Sequence, residues 1–259
     1  MIESILWDVD GTMAETERDG HLKAFNQAFE ALSLPWRWSE QRYGELLAIA
    51  GGRERLLHDL EHRRRAPESP RQRRALADRV HRLKNELYAR IVADGELPLR
   101  EGVRELLNDC ESARVRLGIV TTTSRSNVEV LLKTHLGEDW ESKFAVTVCA
   151  REAPRKKPDP QAYLVALDAL QLRPHETVAL EDSHAGVAAA QAAGVPVIVT
   201  RSHYFMAAES RGALAVGPSL GRIDGWHPAA DARTTRIGLS QIVRWHAAAW
   251  HLGGQSRLQ

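Results

Sequence analysis

The sequence predicts an α/β fold: a doubly wound parallel sheet with a small helical domain inserted after its first strand. From about residue 99 onward, short apolar segments alternate with helical segments, which is the pattern of a parallel sheet. Between residues 16 and 94, in contrast, apolar residues recur almost throughout at the spacing of a helix. The second pattern interrupts the first, so we expect the insert to form a separate helical cap.

The first strand is expected at residues 2–9, which are apolar and end in the polar turn Asp10-Gly11-Thr12. Further segments alternate as strands at 116–121, 145–149, 177–180, 195–200 and 213–216 and as helices at 126–134, 160–170 and 185–193. Residues 237–252 predict an amphipathic helix, in a tail that contains Trp226, Trp245 and Trp250 and is expected to pack on the core. The predicted divisions are a core at 1–15 and 95–225, a cap at 16–94 and a C-terminal helical extension at 226–259.

Composition excludes several classes of protein. The 259 residues are 43% hydrophobic and 27% charged, as in globular chains, and no apolar run reaches the length of about 18–20 residues that spans a bilayer. The net charge of +1 gives no general attraction to nucleic acid. Two cysteines, Cys110 and Cys149, lack the spacing of a metal site and indicate a reducing, cytoplasmic location.

The predicted cap is locally basic. Residues 53–90 carry 12 Lys and Arg against six Asp and Glu. A solvated helical surface explains this simply, and attraction of an anionic small molecule is the functional alternative. Nucleic-acid binding is a weaker alternative, because the segment has no regular pattern of aromatic residues between basic ones and no recognised nucleic-acid-binding module.

Two pairs of carboxylates follow predicted strands. Asp8 and Asp10 end the first strand, and Glu181-Asp182 follows the apolar segment 178–180. If both strands are central, their carboxyl ends bring these groups to one edge of the sheet. Buried carboxylates in such a group require a positive charge between them, and Mg²⁺ would supply it. The sequence therefore predicts a magnesium site at this edge.

Two further features belong to the same edge. Thr121 and Thr122 end a third strand, and Lys157 lies just before a helix. Taken singly, a Thr at a strand end is usually a cap, and a Lys before proline is usually on the surface. Together with the two carboxylate pairs, they predict a site that combines carboxylates, hydroxyls and an ammonium group.

These motifs, in this order, resemble those of the haloacid-dehalogenase-type phosphatase superfamily. The resemblance covers about residues 1–220, and its four motifs are Asp8-x-Asp10-Gly11-Thr12, Thr121, Lys157 and Glu181-Asp182. Segments 5–17, 21–26, 51–55 and 121–124 are similar to the branch with a helical cap that includes β-phosphoglucomutase and the CbbY-type phosphatases. Trp7 stands where the family often has Phe, an apolar exchange that should not affect the chemistry.

The resemblance implies a reaction through an aspartyl-phosphate. Asp8 would be the nucleophile, and Asp10 would act as general acid and then as general base. Mg²⁺ would be held by Asp8, the backbone carbonyl of Asp10 and Asp182, with Glu181 either a direct ligand or a neighbour of the ligands. Thr121 and Lys157 would stabilise the charge of the transferred phosphoryl group.

The resemblance also assigns the choice of substrate to the cap. Arg53 matches a position that clamps the phosphate not being transferred, with a surface salt bridge as the alternative, and for His21 a surface position on a helix is equally compatible with the sequence. The candidate substrate-binding residues are Glu17, His21, Tyr43, Gly51, Gly52, Arg53, Lys84, Thr121 and Thr122.

The function implied by the resemblance is removal, by a monomer, of the 1-phosphate of xylulose-1,5-bisphosphate, an inhibitor of Rubisco. The link to Rubisco is functional, and direct contact is not implied. The alternatives are a phosphomutase like β-phosphoglucomutase and a broader sugar-phosphate or phosphoglycolate phosphatase. A catalytically silent sugar-phosphate sensor is disfavoured because all four motifs are intact. No nucleic acid or membrane partner is expected.

Overall fold

The computed structural model describes residues 1–206 and 211–255, and six parallel strands in it form one sheet in the order β3-β2-β1-β4-β5-β6. The strands are β1 (Ser4–Trp7), β2 (Arg116–Val120), β3 (Val146–Val148), β4 (Thr177–Glu181), β5 (Val197–Thr200) and β6 (Ala215–Gly217). Each lies within or next to a segment predicted to be a strand. The predicted parallel α/β fold is confirmed.

The centre of the sheet explains where the polar strand ends meet. β1 pairs with β2 on one side and β4 on the other, and every residue of β1 and β4 is buried. Strands that are covered on both faces are mostly apolar, as these are between their polar end residues Ser4, Thr177 and Glu181. Trp7 lies opposite Leu180 in the register, so Asp8 and Glu181 are neighbours at the carboxyl ends of the strands.

Helices account for most of the remaining chain. A π-helical turn at Glu17–Leu22 leads into the first of them. The helices are α1 (Lys23–Ala31), α2 (Glu40–Leu46), α3 (Gly52–His62), α4 (Pro70–Ala93), α5 (Val103–Ser112), α6 (Arg125–Leu136), α7 (Gln161–Leu170), α8 (His184–Ala192) and α9 (Leu239–Gln255). Among the described residues, no helix is long and apolar enough to cross a membrane.

The chain forms two compact units. The first unit contains Met1–Glu15, Leu99–Thr121 and the chain from Asp139 onward, and the second contains Thr16–Pro98 and Thr122–Glu138. Helix α6 thus belongs to the helical unit, where it packs on α4, although strand–helix alternation placed it with the sheet. The role of the second unit as a cap remains a prediction.

The second unit has an aromatic core with a buried carboxylate. Phe25 and Phe29 lie 4.7 and 5.1 Å from the Trp38 ring. Asp59, also buried, accepts hydrogen bonds from the Trp38 indole at 2.7 Å, from Arg42 at 2.9 Å and from Arg63 at 2.7 Å. We call these four polar residues, Trp38, Arg42, Asp59 and Arg63, the Asp59 network. Glu45 also accepts a hydrogen bond from Arg42 at 3.1 Å, so two carboxylates balance two guanidinium groups within the unit.

The C-terminal extension packs on the first unit. Helix α9 contacts α5, and the guanidinium of Arg236 pairs with Asp109 at 2.8 Å. Trp226 stacks on Trp245 with ring centroids 4.9 Å apart. The side chain of Trp250 lies outside the described residues.

Candidate active site

Lys157 joins the carboxyl ends of three central strands. Its ammonium group donates hydrogen bonds to Asp8 Oδ1 at 2.8 Å, to Glu181 Oε1 at 2.6 Å and to the carbonyl of Val120 at 2.7 Å. The side chains of Lys157, Asp8 and Glu181 are all buried. A lysine that the local sequence would place on the surface is therefore fixed at the centre of the predicted site.

Asp182 completes this group of charges. It follows directly on β4, is buried, and accepts a hydrogen bond from the Ser202 hydroxyl at 2.6 Å. Gly11 lies against the same carboxylate: a Cβ added there would come within 2.0 Å of Asp182 Oδ2, and its φ of +83° also favours glycine. We call Asp8, Lys157, Glu181 and Asp182 the strand-end cluster.

The strand-end cluster has more negative than positive charge. In the part of the chain that the structure describes, its ion pairs supply one ammonium group for three carboxylates. Burial raises the pKa of Asp8 to about 7, with Lys157 opposing that rise and Glu181 and Asp10 adding to it. Burial likewise raises the pKa of Asp182, and the charge of Asp8 adds to the effect. Burial alone would lower the pKa of Lys157, but the charges of Asp8 and Glu181 raise it above its usual value.

The donor set fits a divalent cation. Carboxylate oxygens of Asp8, Glu181 and Asp182 lie within 4.8 Å of one another. Oxygen ligands suit a hard cation such as Mg²⁺, and two positive charges would balance the excess of two carboxylates. The chemistry and the charge of the cluster thus both match the predicted kind of site.

Glu181 is held from two sides. Its Oε1 accepts the hydrogen bond from Lys157 and another from the Tyr163 hydroxyl at 2.5 Å. Its Oε2 lies against Gly186, where an added Cβ would approach to 1.8 Å. These contacts fix Oε1 as the anchor of Lys157. Oε2 is buried with no hydrogen-bond partner among the described residues, and both roles predicted for Glu181, a direct metal ligand or a neighbour of the ligands, remain predictions.

The remaining predicted residues of the first unit, Asp10 and Thr121, follow β1 and β2, at whose carboxyl ends Lys157 makes its bonds. Asp10 is half-buried in the turn after β1, where Gly11 donates its N–H to the carbonyl of Ala14 at 2.8 Å. Thr121 is buried directly after β2 and donates its backbone N–H to Val148 at 3.0 Å. The assignment of Asp10 as acid and base and of Thr121 as a phosphate ligand remains a prediction.

In the second unit, Glu17 and Tyr43 are in direct contact. The Tyr43 hydroxyl donates to Glu17 at 2.5 Å and accepts from Arg55 at 2.7 Å. The Arg55 guanidinium also lies 4.9 Å from the centre of the Tyr43 ring. Arg55 is buried and was not among the predicted residues. Its signal in the sequence is its place, with Leu56 and Leu60, on the buried face of α3.

His21 and Lys84 are both buried against Tyr88. The rings of His21 and Tyr88 are 4.4 Å apart, and the Lys84 ammonium lies 5.1 Å from the Tyr88 ring and 5.5 Å from that of Phe25. His21 is buried, unlike the surface histidine that was the equally compatible alternative to a substrate-binding role. Gly52 packs near the same Phe25, at 3.3 Å from an added Cβ.

Arg53 makes the surface ion pair that was the alternative to a phosphate clamp. Its Nε donates to Asp78 at 2.5 Å, and both side chains are more than a third exposed. Gly51 precedes α3, and Thr122 lies in the turn before α6. Phosphate binding by Arg53, Gly51 and Thr122 remains a prediction.

Tyr163 is another contact of the cluster that sequence reasoning missed. On the apolar face of α7, it resembles any core aromatic residue. Ser202, which follows β5, likewise carries no local signal of its bond to Asp182. Only the folded chain brings these residues to Glu181 and Asp182.

The fold and the site together define an α/β protein with a charged site at the carboxyl ends of its central parallel strands. The family model described as haloacid dehalogenase-like hydrolase matches residues 2–194. The chain belongs to this family.

The chain is similar to proteins named CbbY. It is 41% identical over 222 residues to protein CbbY of Cupriavidus necator, with 85% of this chain and 86% of the relative covered. A solved mutant of CbbY from Rhodobacter sphaeroides in complex with xylulose-1,5-bisphosphate matches with a TM-score of 0.80 and 38% identity, over 87% of this chain and 97% of that one. The predicted class of enzyme, a phosphatase and thus a phosphoric monoester hydrolase, is confirmed.

A solved β-phosphoglucomutase from Clostridium difficile has the same fold. It matches with a TM-score of 0.71 at 19% identity and covers 96% of this chain and 99% of that chain. At this identity the likeness concerns the fold alone.

Proposed function

We propose that this chain is a magnesium-dependent phosphatase of sugar bisphosphates that converts xylulose-1,5-bisphosphate to xylulose-5-phosphate and inorganic phosphate. The observation that carries the proposal is the buried contact of Lys157 with Asp8 and Glu181, beside Asp182. The likeness to CbbY, one structure of which holds this bisphosphate, supports the choice of substrate.

Asp8 is the nucleophile. An Oδ atom of Asp8 attacks phosphorus while the bond from phosphorus to the sugar oxygen breaks, and Asp10 gives its proton to the departing oxygen. Asp10 then takes a proton from water, whose oxygen attacks the phosphorus of the aspartyl-phosphate. The bond between phosphorus and Asp8 breaks, so phosphate leaves and both carboxyl groups return to their first states.

The other members of the strand-end cluster control charge. Lys157 stabilises the ionised form of Asp8 and, with Thr121, the phosphoryl oxygens. Glu181 and Tyr163 hold the Lys157 ammonium in place. When bound by Asp8, Asp182 and the carbonyl of Asp10, Mg²⁺ would neutralise charge on the nucleophile and the phosphoryl group.

The second unit supplies specificity. His21 and Lys84 are buried polar groups beside aromatic rings, and the contact of Glu17 with Tyr43 orients both side chains. Arg53 exchanges its Asp78 partner for the 5-phosphate, whose geometry suits a guanidinium. Gly51, Gly52 and Thr122 complete the set of backbone and hydroxyl contacts.

The biological role that follows is protection of Rubisco. Removal of the 1-phosphate would destroy an inhibitory bisphosphate and return its sugar to the Calvin cycle. We assign this role to a cytoplasmic monomer that need not contact Rubisco itself.

A panel of substrates tests the proposal. Phosphate release is measured with Mg²⁺ and with EDTA, on xylulose-1,5-bisphosphate, ribulose-1,5-bisphosphate, phosphoglycolate and β-glucose-1-phosphate. We expect rapid, EDTA-sensitive release from the first and little from the second. Arg53→Ala should raise KM for xylulose-1,5-bisphosphate by roughly tenfold, as expected for loss of a charged hydrogen bond, without the same change for phosphoglycolate.

Two results would overturn the proposal. Formation of glucose-6-phosphate from β-glucose-1-phosphate without phosphate release would identify a mutase. Equal rates on all four substrates, unchanged by Arg53→Ala, would indicate a general phosphatase whose second unit does not select the substrate.

A further inference from the structure

Arg100 connects three loops of the first unit through a single buried guanidinium. It lies on the segment that pairs with the turn after β1, where its backbone N–H donates to Met13 at 2.8 Å. The side chain is 9% exposed. Nη1 donates to the carbonyl of Gly11, to the carbonyl of Thr200 at 3.2 Å and to the Thr200 hydroxyl at 3.0 Å. Nη2 donates to the carbonyl of Arg201 at 2.6 Å and to that of Pro218 at 2.8 Å.

Two of these loops enclose the carboxylate of Asp182. Gly11, whose carbonyl Arg100 binds, packs on Asp182 Oδ2 so closely that a Cβ would lie 2.0 Å away. Arg100 also binds the carbonyl of Arg201, and the next residue, Ser202, donates its hydroxyl to Asp182 Oδ2 at 2.6 Å. One oxygen of Asp182 is therefore fixed between two backbone segments that share the guanidinium of Arg100.

This arrangement needs an arginine. The guanidinium presents five N–H donors in a planar fork, so its two Nη atoms can serve several carbonyls in different directions. A lysine would keep the positive charge but offer one nitrogen in place of the fork. Glu15, 3.4 Å from Nε, offsets the charge of Arg100. Without the fork, the backbone segments that contain Gly11 and Ser202 would lose their shared hydrogen-bond donor, and the carboxylate of Asp182 between them would be less restrained.

We propose that Arg100 and Ser202 are positioning residues that set the affinity of the strand-end cluster for its divalent cation by fixing Asp182. This inference rests on the proposed function, because it takes Asp182 as a ligand of Mg²⁺. Neither residue belongs to the set proposed to contact the substrate or the reacting atoms. Partners that orient metal ligands commonly change metal affinity by about 10–100-fold when they are removed.

The test is calorimetric titration of Mg²⁺ into the full-length protein, without substrate. Arg100→Lys should weaken Mg²⁺ binding by about 10–100-fold, and Ser202→Ala by about tenfold, for the loss of one hydrogen bond to a carboxylate. Ser202→Thr keeps the hydroxyl and should restore the affinity. Arg116→Lys is the matched control, because Arg116 also binds a carbonyl, that of Leu170 at 3.0 Å, but at the start of β2.

Activity gives a second readout. The Mg²⁺ concentration for half-maximal phosphate release should rise in Arg100→Lys by the same factor as the dissociation constant. At saturating Mg²⁺, kcat should return to within about threefold of the wild-type value, equivalent to less than 1 kcal/mol in the barrier. A residue that only stabilised the fold would lower Tm and leave Mg²⁺ affinity unchanged.

Wild-type Mg²⁺ affinity in folded Arg100→Lys would overturn the proposal. If Arg100→Lys does not fold, as judged by circular dichroism, wild-type affinity in Ser202→Ala would overturn it instead. A wild-type protein that binds no Mg²⁺ would contradict the proposed function, and this inference with it. Failure of the inference alone is recognised by tight binding in the wild type and in both variants.

Discussion

The two units each bury a group of charged residues, and the two groups differ in their balance. In the Asp59 network the carboxylate of Asp59 meets two guanidinium groups and an indole N–H, and Glu45 pairs with one of those guanidinium groups, that of Arg42, so the charges balance. In the strand-end cluster the one ammonium group, that of Lys157, pairs with Asp8 and Glu181, and the carboxylate of Asp182 lies beside them. The first group satisfies its charge with the protein alone, whereas the second requires a further positive charge. An excess of buried negative charge, rather than burial by itself, distinguishes the strand-end cluster as the candidate ligand site.

The pKa values of the two aspartates express this difference. Burial raises the pKa of Asp8 to about 7, and Lys157 only partly offsets the effect. Burial also acts to raise the pKa of Asp59, but its bonds to Trp38, Arg42 and Arg63 together bring it below the usual value. A charge that the fold stabilises contributes to stability, whereas one that the fold disfavours is available for chemistry.

The largest expected effect comes from Asp8→Asn. An amide cannot act as the nucleophile, so phosphate release should fall by roughly 10⁴-fold or more. The assay is steady-state phosphate release at saturating Mg²⁺, with circular dichroism to confirm folding. Asp168→Asn, at an exposed position of the same unit, should leave the rate unchanged. Activity within tenfold of the wild type in Asp8→Asn would exclude Asp8 as the nucleophile.

Lys157→Met sharpens the comparison by removing the one ammonium of the strand-end cluster. Asp8 and Glu181 would remain buried without their partner, so the free energy of unfolding should fall by about 3–5 kcal/mol in the absence of divalent cations. Urea denaturation measures this change. Lys143→Met, which removes an exposed pair with Glu111, should change stability by less than about 1 kcal/mol. Equal effects of the two substitutions would show that the cluster has no special charge balance.

Mg²⁺ should stabilise the protein more at pH 8 than at pH 5. The folded pKa of Asp8, about 7 without metal, lies above its unfolded value, so the folded protein gains protons relative to the unfolded chain and loses stability as pH rises from about 4 to 7. Above about pH 7, where Asp8 is ionised, a bound Mg²⁺ would supply the positive charge that the proton supplies at lower pH. At 100 times its dissociation constant it should add about 2.7 kcal/mol at pH 8, seen as a rise in Tm, and less at pH 5.

Asp182→Asn is the control for that experiment, since it removes a proposed ligand and should abolish most of the Mg²⁺-dependent rise in Tm. An equal rise at both pH values, in the wild type and in this variant, would place the cation elsewhere in the protein.

Asp59→Asn should affect stability and leave the chemistry intact. It keeps a bond to Trp38 but loses the charge that pairs with Arg42 and Arg63, and should lower the free energy of unfolding by about 1–3 kcal/mol. Because the folded pKa of Asp59 lies below its unfolded value, this contribution is complete above about pH 4 and is lost as pH falls further. Denaturation at pH 7 and pH 3 measures it, with the exposed Asp94→Asn as control. A loss of kcat at saturating Mg²⁺ in folded Asp59→Asn would contradict the division of roles.

Much of the first unit could be predicted from the sequence because its strands are buried and mostly apolar. The end of each apolar segment marks the end of a strand, and the carboxyl ends of central parallel strands lie at one edge of the sheet. The sequence therefore predicted that Asp8 lies near Glu181 and Asp182. Lys157 could be predicted only from its order among the motifs, since its local sequence is that of a surface residue. The fixed position of Glu181 against Tyr163 depends on a tertiary contact that has no local pattern.

The second unit was predicted less completely because its elements are helices, whose contacts are not evident from local spacing. Helical spacing shows that a face is apolar but not which helix covers it, so α6 could not be assigned to α4 from alternation alone. Arg55 occupies the buried face of α3 together with leucines, and its bond to Tyr43 follows from packing rather than from spacing. The ion pair of Arg53 with Asp78 likewise joins α3 to α4 through two residues that are 25 positions apart in the sequence.

The most direct test of the account is to trap the phosphorylated enzyme. Xylulose-1,5-bisphosphate labelled with ³²P at the 1-phosphate is mixed with enzyme and Mg²⁺, quenched in acid within milliseconds, and the labelled peptide is sequenced. The account predicts a hydroxylamine-labile label on Asp8 that decays as labelled inorganic phosphate appears. Label on another residue, or rapid phosphate release with no labelled Asp8 at any time, would contradict it.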